Sequence, residues 1–254
     1  MADVFAQGKE PEYLFWVGSA GSFDDRAKKI TRAFVKLLNK ADVDFAVLGT
    51  EESSSGDAAK RAGNEFLFQM QAMTNIEVMN MYNVKKIVTA CPHSYNTLKN
   101  EYPELGGKYQ VIHHTQLLAE LIKQGKLEVE NIQLNQKTIT FHDPCYLGRA
   151  NKEYQAPRTI LKSIGVNLIE MPRSKNNSFC CGAGGAQMFK EPEKGFMDVN
   201  VMRTKEALTL QPDVIATGCP FCNTMMTDGV KNEKQEEKVD VKDVAEILAE
   251  ALKL

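Results

Sequence analysis

The sequence lacks a dominant charge, and it lacks any long apolar run. Lys and Arg total 31 against 33 Asp and Glu, a formal net charge of −2. That balance offers no global field to draw nucleic acid or an anionic membrane, and neither is expected as a partner. Apolar stretches such as Phe45-Ala46-Val47-Leu48 fall far short of the roughly 20 residues that span a bilayer, so no direct membrane insertion is expected. The opening residues Met1 to Lys9 have neither the basic nor the apolar region of a secretory signal, which points to a cytoplasmic location. A dinucleotide fingerprint is missing too. Gly182-Ala183-Gly184-Gly185 lacks the G-x-G-x-x-G spacing, so flavin or nicotinamide, if used, belongs to a partner.

What is present is an ordinary globular composition, 254 residues with 43% hydrophobic and 25% charged, enough for one large domain or two modest ones. Cysteine is scarce in the first half, where Cys91 stands alone, whereas Cys145, Cys180, Cys181, Cys219 and Cys222 lie in the second. In a reducing compartment such a group reads as a metal site or redox thiols rather than a disulfide framework.

An internal repeat accounts for the asymmetry. Tyr13 to Ser19 falls on Ile139 to Cys145, and Val43 to Gly49 on Val166 to Pro172. Ile87-Val88-Thr89-Ala90-Cys91-Pro92-His93-Ser94 matches Ile215-Ala216-Thr217-Gly218-Cys219-Pro220-Phe221-Cys222, and Val111 to Leu121 matches Val239 to Ala249. Each half alternates strand and helix, which predicts an α/β fold of two tandem pseudo-symmetric repeats, each a small parallel sheet flanked by helices. The repeats are expected at 1–126 and 137–254, joined between Gln124 and Lys137. Cysteines 145, 180, 181, 219 and 222 are spaced by 35, 1, 38 and 3; the aligned Ser19, Ser54, Ser55, Cys91 and Ser94 are spaced by 35, 1, 36 and 3. One repeat has kept a cysteine site that the other has largely lost.

Loops at the carboxyl ends of parallel strands converge on one edge, so the five cysteines can meet there. Gly182, Gly184 and Gly185 let the backbone approach a bulky ligand and expose amides that can bond sulfur. Thiolates with a Cys-x-x-Cys pair suit zinc or an iron–sulfur cluster. Five thiols exceed the four of mononuclear zinc, and a thiol–disulfide pair at Cys219 and Cys222 would leave three cysteines unexplained.

The blocks His142-Asp143-Pro144-Cys145-Tyr146-Leu147-Gly148-Arg149, Asn177 to Gly185 and Cys219-Pro220-Phe221-Cys222 resemble the cysteine-rich CCG domain found in the B and D subunits of heterodisulfide reductase. Relatives include the iron–sulfur subunits of glycolate, lactate and glycerol-3-phosphate oxidising systems. The resemblance implies an iron–sulfur electron-transfer or oxidoreductase subunit with one non-cubane [4Fe-4S] cluster on Cys145, Cys180, Cys181, Cys219 and Cys222. It also implies a ferredoxin-like or flavoprotein partner, in a complex that can be attached to a membrane. The serines at 19, 54, 55 and 94 depart from the pattern and argue against a first-half cluster and against heterodisulfide reduction. Zinc, or no metal at all, is the alternative.

Other polar residues admit two readings. His142 and Arg149 could face a cofactor, or cap a turn and make an exposed ion pair. His93 is expected at the surface, with the serine site as its other possible home. Glu51, Glu52, Asp57 and Arg61 are expected to be a solvated loop, Lys231 to Lys238 an exposed loop, and His113 and His114 a strand end without a role.

Overall fold

The computed structural model describes residues 1–129, 137–191 and 195–254. The expected join from Gln124 to Lys137 therefore falls partly on residues 130–136, outside the described residues. The strands are β1 (Tyr13–Trp16), β2 (Phe45–Ala46), β3 (Lys86–Thr89), β4 (Gln110–His113), β5 (Thr138–Phe141), β6 (Asn167–Ile169), β7 (Val214–Thr217) and β8 (Asp240–Asp243). They form two four-stranded sheets ordered β2-β1-β3-β4 and β6-β5-β7-β8. Every strand pair is parallel.

The inner strands β1, β3, β5 and β7 are buried without alternation, because helices cover both faces of each sheet. Leu14, Phe15 and Trp16 of β1 are almost wholly buried, as are Val214, Ile215 and Ala216 of β7. Each large side chain so buried contributes about 1.5–3 kcal/mol. The helix Asp25–Lys40 begins where Asp24 accepts the Ala27 N–H at 2.7 Å. It turns Ile30, Phe34, Leu37 and Leu38 inward at the 3.6-residue period.

Strand register tests the repeat directly. Leu14 lies opposite Ile87 and Ala46, and Thr140 lies opposite Ile215 and Ile169, so three of the four matched segments correspond as aligned. The fourth is off by two residues. Ile87 faces Val111 while Ile215 faces Val241, so Val111 corresponds to Val241 and not to Val239. Helix caps explain the shift. Gln116 accepts the His113 N–H at 3.0 Å, and Glu246 accepts the Asp243 N–H at 2.9 Å. His113 and Asp243 are therefore equivalent N-caps, and the extra length lies before β8.

The repeats share one core. The long helix between β1 and β2, Asp25–Lys40, packs on the last helix of the second repeat, Val244–Ala251; the helix between β5 and β6, Gln155–Ser163, packs on the last helix of the first, His114–Lys123. This exchange of equivalent partners is a pseudo-two-fold relation. Arg26 pairs with Glu246 at 2.7 Å, and at the equivalent place Gln116 bonds Glu153 at 2.7 Å. His113 and His114 are not an idle strand end. Both are fully buried at this junction, with His114 Nε2 2.8 Å from Asp243 Oδ1.

The run from Lys231 to Lys238 is mostly exposed, but Lys231 and Asn232 close the helix Pro220–Asn232 rather than sitting in a loop.

Candidate metal centre

Sheet order brings the cysteines together. β5 lies between β6 and β7, so the loops leaving their carboxyl ends are neighbours. Cys145 follows β5, Cys180 and Cys181 follow β6, and Cys219 and Cys222 open the helix Pro220–Asn232 after β7. The Cys222 and Cys181 sulfurs lie 3.2 Å apart. A ring nitrogen of His142 and the sulfurs of Cys181 and Cys222 lie within 4.8 Å of one another. Cys181, Cys219 and Cys222 are buried, whereas Cys145 and Cys180 are partly exposed and form the open edge.

Buried charges hold the loops. Asp143 accepts two hydrogen bonds from Arg158, at 2.7 and 2.8 Å, and one from the Lys175 N–H at 2.7 Å. The Ser178 hydroxyl donates to the Asp143 carbonyl at 2.9 Å, which ties the Cys145 loop to the Cys180 loop. Arg203, fully buried, donates from Nε to His142 Nδ1 at 3.1 Å. An arginine only donates, so the neutral imidazole carries its proton on Nε2. That buried Nε2–H has no partner among the described residues. Burial, with the Arg203 charge, pushes the His142 pKa down to about 3.

The thiols differ in their readiness to ionise. Hydrogen bonds from Cys145 and Cys181 hold the Cys180 thiol low, and the Gly182 N–H adds a bond at 3.3 Å. The bonds to Cys180 push Cys145 and Cys181 up. Burial raises Cys219, but hydrogen bonds from Cys222 and His93 outweigh it and hold it at about 5. The set thus combines two thiols held low with three pushed up, beside a His142 N–H donor. Such a donor set fits a thiolate-bound metal centre.

The serine site of the first repeat repeats two of these contacts. Ser94 and Ser55 hydroxyls lie 3.5 Å apart where Cys222 and Cys181 lie 3.2 Å apart. The Gly56 N–H donates to Ser54 Oγ at 3.2 Å where the Gly182 N–H donates to Cys180. Gly56 and Gly182 have φ of +85° and +94°, a left-handed turn that only glycine adopts freely. Cys91 is the one thiol left there, and burial pushes it up.

Several sequence-based expectations change. His93 is only 8% exposed and lines a cavity of about 650 Å3, counted to open solvent, beside Ser55, Ser94, Cys91 and Phe221. Asp57 is buried against His93 at 2.8 Å, and Arg61 bonds Asp57 at 3.1 Å, so this loop is a charge network and not a solvated surface. Glu52 receives the Val17 and Gly18 N–H groups at 3.0 and 2.6 Å. Arg149 is exposed on the turn after Cys145, with no ion pair among the described residues. Gly184 and Gly185 face open space, while a side chain at Gly182 would meet Met225 and Val199 at 3.3 Å. The sequence reasoning passed over Arg158 and Arg203. Both are charged residues on otherwise buried helix faces, beside Ile160 and Leu161 and beside Thr204 and Ala207, and that pattern was the available signal.

The chain is similar to the Bacillus subtilis protein named probable iron-sulfur-binding oxidoreductase FadF, at 53% identity over 97% of this chain and 35% of that protein. It is 49% identical to the EtfAB:quinone oxidoreductase of Syntrophomonas wolfei, over 96% of this chain and 35% of the relative. It is 36% identical to a subunit of the dihydromethanophenazine:CoB--CoM heterodisulfide reductase of Methanosarcina barkeri, over 96% of this chain and 59% of that relative. The chain thus spans about a third of the length of the first two relatives. The model of the CCG cysteine-rich domain matches twice, at residues 13–99 and 139–227. With two copies of that domain folded on one core, the chain belongs to the CCG cysteine-rich domain family.

Proposed function

We propose that this chain is an iron–sulfur electron-transfer segment of an oxidoreductase, carrying one [4Fe-4S] cluster of the non-cubane type in its second repeat. Cys145, Cys180, Cys181, Cys219 and Cys222 would hold it. The observation that carries the reading is the convergence of these five cysteines after three adjacent strands, while the equivalent positions of the first repeat keep a single thiol. Five thiols are one more than tetrahedral zinc accepts. In this reading residues 1–126 are the degenerate repeat and 137–254 the intact one.

When bound, the cluster supplies one-electron storage. The protein's own residues do the rest. The Gly182 N–H donates to the Cys180 sulfur, and the unpartnered His142 Nε2–H would be available to a bound cluster; such donors stabilise added negative charge and would raise the potential. Arg203 fixes the His142 ring, and Asp143 with Arg158 fixes the Cys145 loop. Buried Cys181, Cys219 and Cys222 keep water out, and the half-exposed edge at Cys145 and Cys180 is where electrons enter or leave.

The relatives' names support a flavoprotein donor and, on the other side, a quinone-reducing or membrane-anchored partner. Among the described residues no helix is long and apolar enough to cross a membrane, so in this reading any attachment is through a partner or another segment, with the chain on the cytoplasmic side. Serine oxygens in place of thiolates argue against a second cluster, and with it against heterodisulfide reduction.

The test is iron, zinc and acid-labile sulfide per chain on anaerobically purified protein, with an EPR spectrum, for wild type and Cys181→Ser. About four iron and four sulfide, diminished by the substitution, support the proposal. Zinc without sulfide refutes it, and twice that iron refutes the empty first repeat.

A further inference from the structure

The cavity at the serine site is walled by both repeats. Ser54, Ser55 and Ser94 line it from the first, and Met188, Phe189 and Phe221 from the second. Phe189 and Phe221 meet edge-on, with ring centroids 6.3 Å apart, and the mostly exposed Phe189 marks the mouth. Trp16 holds the place in this repeat that His142 holds in the other, at the 126-residue offset. It is wholly buried, and its Nε1–H has no partner among the described residues, as His142 Nε2 has none. Gly18 lines the cavity with φ of +76° and leaves the space beside that indole edge empty. A side chain at Gly18 would begin 3.6 Å from Ser94 Oγ and 4.0 Å from Trp16 Nε1.

These groups give protons where the cysteine site gives lone pairs. Ser54 Oγ accepts the Gly56 N–H, which leaves its own proton uncommitted, and the Ser94 and Ser55 pair spends at most one proton on itself. A thiolate binds metal through sulfur, whereas a serine hydroxyl keeps its proton at neutral pH and an indole N–H can only donate. Serines for cysteines and indole for imidazole thus turn a metal cradle into a donor cradle, whose occupant must be a hydrogen-bond acceptor. Charge narrows the class. Among the described residues no lysine or arginine lines the cavity, and its Asp57 and His93 face each other at 2.8 Å, with Asp57 also held by Arg61 at 3.1 Å. A carboxylate or phosphate buried there would find no free countercharge.

We propose that the serine site binds a small uncharged molecule bearing a carbonyl oxygen, such as an amide, ester or ketone. Its oxygen sits over Gly18 between Trp16 and Ser94, and its apolar part lies on Met188, Phe189 and Phe221. An apolar wall with a few convergent donors is the usual make-up of such a pocket. This goes beyond the iron–sulfur reading and does not depend on what the cysteines hold.

The experiment is isothermal titration calorimetry of the anaerobically purified protein with butyramide, butyrate and inorganic phosphate. Trp16 is the only tryptophan of the chain, so its emission reports from the site itself. Butyramide should bind saturably and shift that emission with the same midpoint, and butyrate, of the same shape but charged, should bind about tenfold more weakly or not at all. Ser94→Ala removes one hydrogen bond and should weaken butyramide about two- to tenfold. Phe189→Ala, at an exposed position the fold does not need, should weaken it too and keeps the test open if Ser94→Ala is poorly folded. Absence of saturable butyramide binding overturns the proposal, as does binding that neither substitution weakens or that leaves Trp16 emission unmoved. Butyrate or phosphate binding more tightly than butyramide overturns the uncharged class in favour of an anion site.

Discussion

Replacing Arg158 by methionine strands a buried carboxylate beside the cysteine loop. Arg158 is 4% exposed in its side chain and Asp143 is 2%, whereas Glu170, the other partner, is 37% exposed. On losing the guanidinium, Glu170 regains water, and its share of the loss is at most about 1 kcal/mol. Asp143 cannot do the same. It keeps only the Lys175 N–H, and removing one partner of a buried pair costs about 3–5 kcal/mol. Methionine retains much of the stem volume packed under the Phe141 ring, so the cavity contribution is small.

Urea denaturation of the thiol-reduced protein, followed by circular dichroism, should therefore show a loss of about 3–5 kcal/mol at neutral pH. The gap should narrow as pH falls, because a stranded carboxylate takes up a proton and a group protonated only in the folded state favours folding at low pH. Arg158→Met combined with Asp143→Asn removes the charge itself and should restore more than half the loss. A single-variant loss below about 1 kcal/mol, or a double variant no better than the single one, would refute the assignment.

Burial pushes the Glu52 carboxyl from 4.5 to about 7 despite the Val17 and Gly18 N–H bonds, so the folded chain binds the extra proton and stability falls as pH rises through that window. The cost is at most about 3–4 kcal/mol; Glu52→Gln should flatten this slope, and urea midpoints that still parallel wild type would contradict the assignment. Gly229→Ala drives a Cβ to 2.9 Å from the Thr204 Cβ and 3.1 Å from the Asn200 carbonyl. The overpacking should cost about 1–3 kcal/mol, visible as a lowered Tm, and an unchanged Tm would show that the two helices can part freely. Cys91→Ser should leave iron and sulfide at the wild-type level, because its repeat offers no other thiol; loss of iron would make Cys91 a ligand.

Much of the architecture was legible in the chain itself. Apolar runs at β1, β3, β5 and β7, each followed by a loop and a helix, imply parallel strands, and the register confirms the 126 and 128 offsets there. The match at β8 slipped by two because Val239 and Val241 present the same apolar face. The strand register and the paired caps at His113 and Asp243 distinguish them. Cysteine spacing foretold the serine site as well, down to the hydroxyl pair at Ser55 and Ser94.

The chain by itself determined the two repeats, the parallel sheets and the five cysteines that gather where β6, β5 and β7 end, since periodicity and spacing are local properties written along it. The tertiary structure alone decided what surrounds them. Arg158 comes to Asp143, Arg203 to His142, and His93 to Phe221. Those partners are 15, 61 and 128 residues apart, and a buried charge acquires its meaning only from the group that satisfies it, which no local pattern specifies.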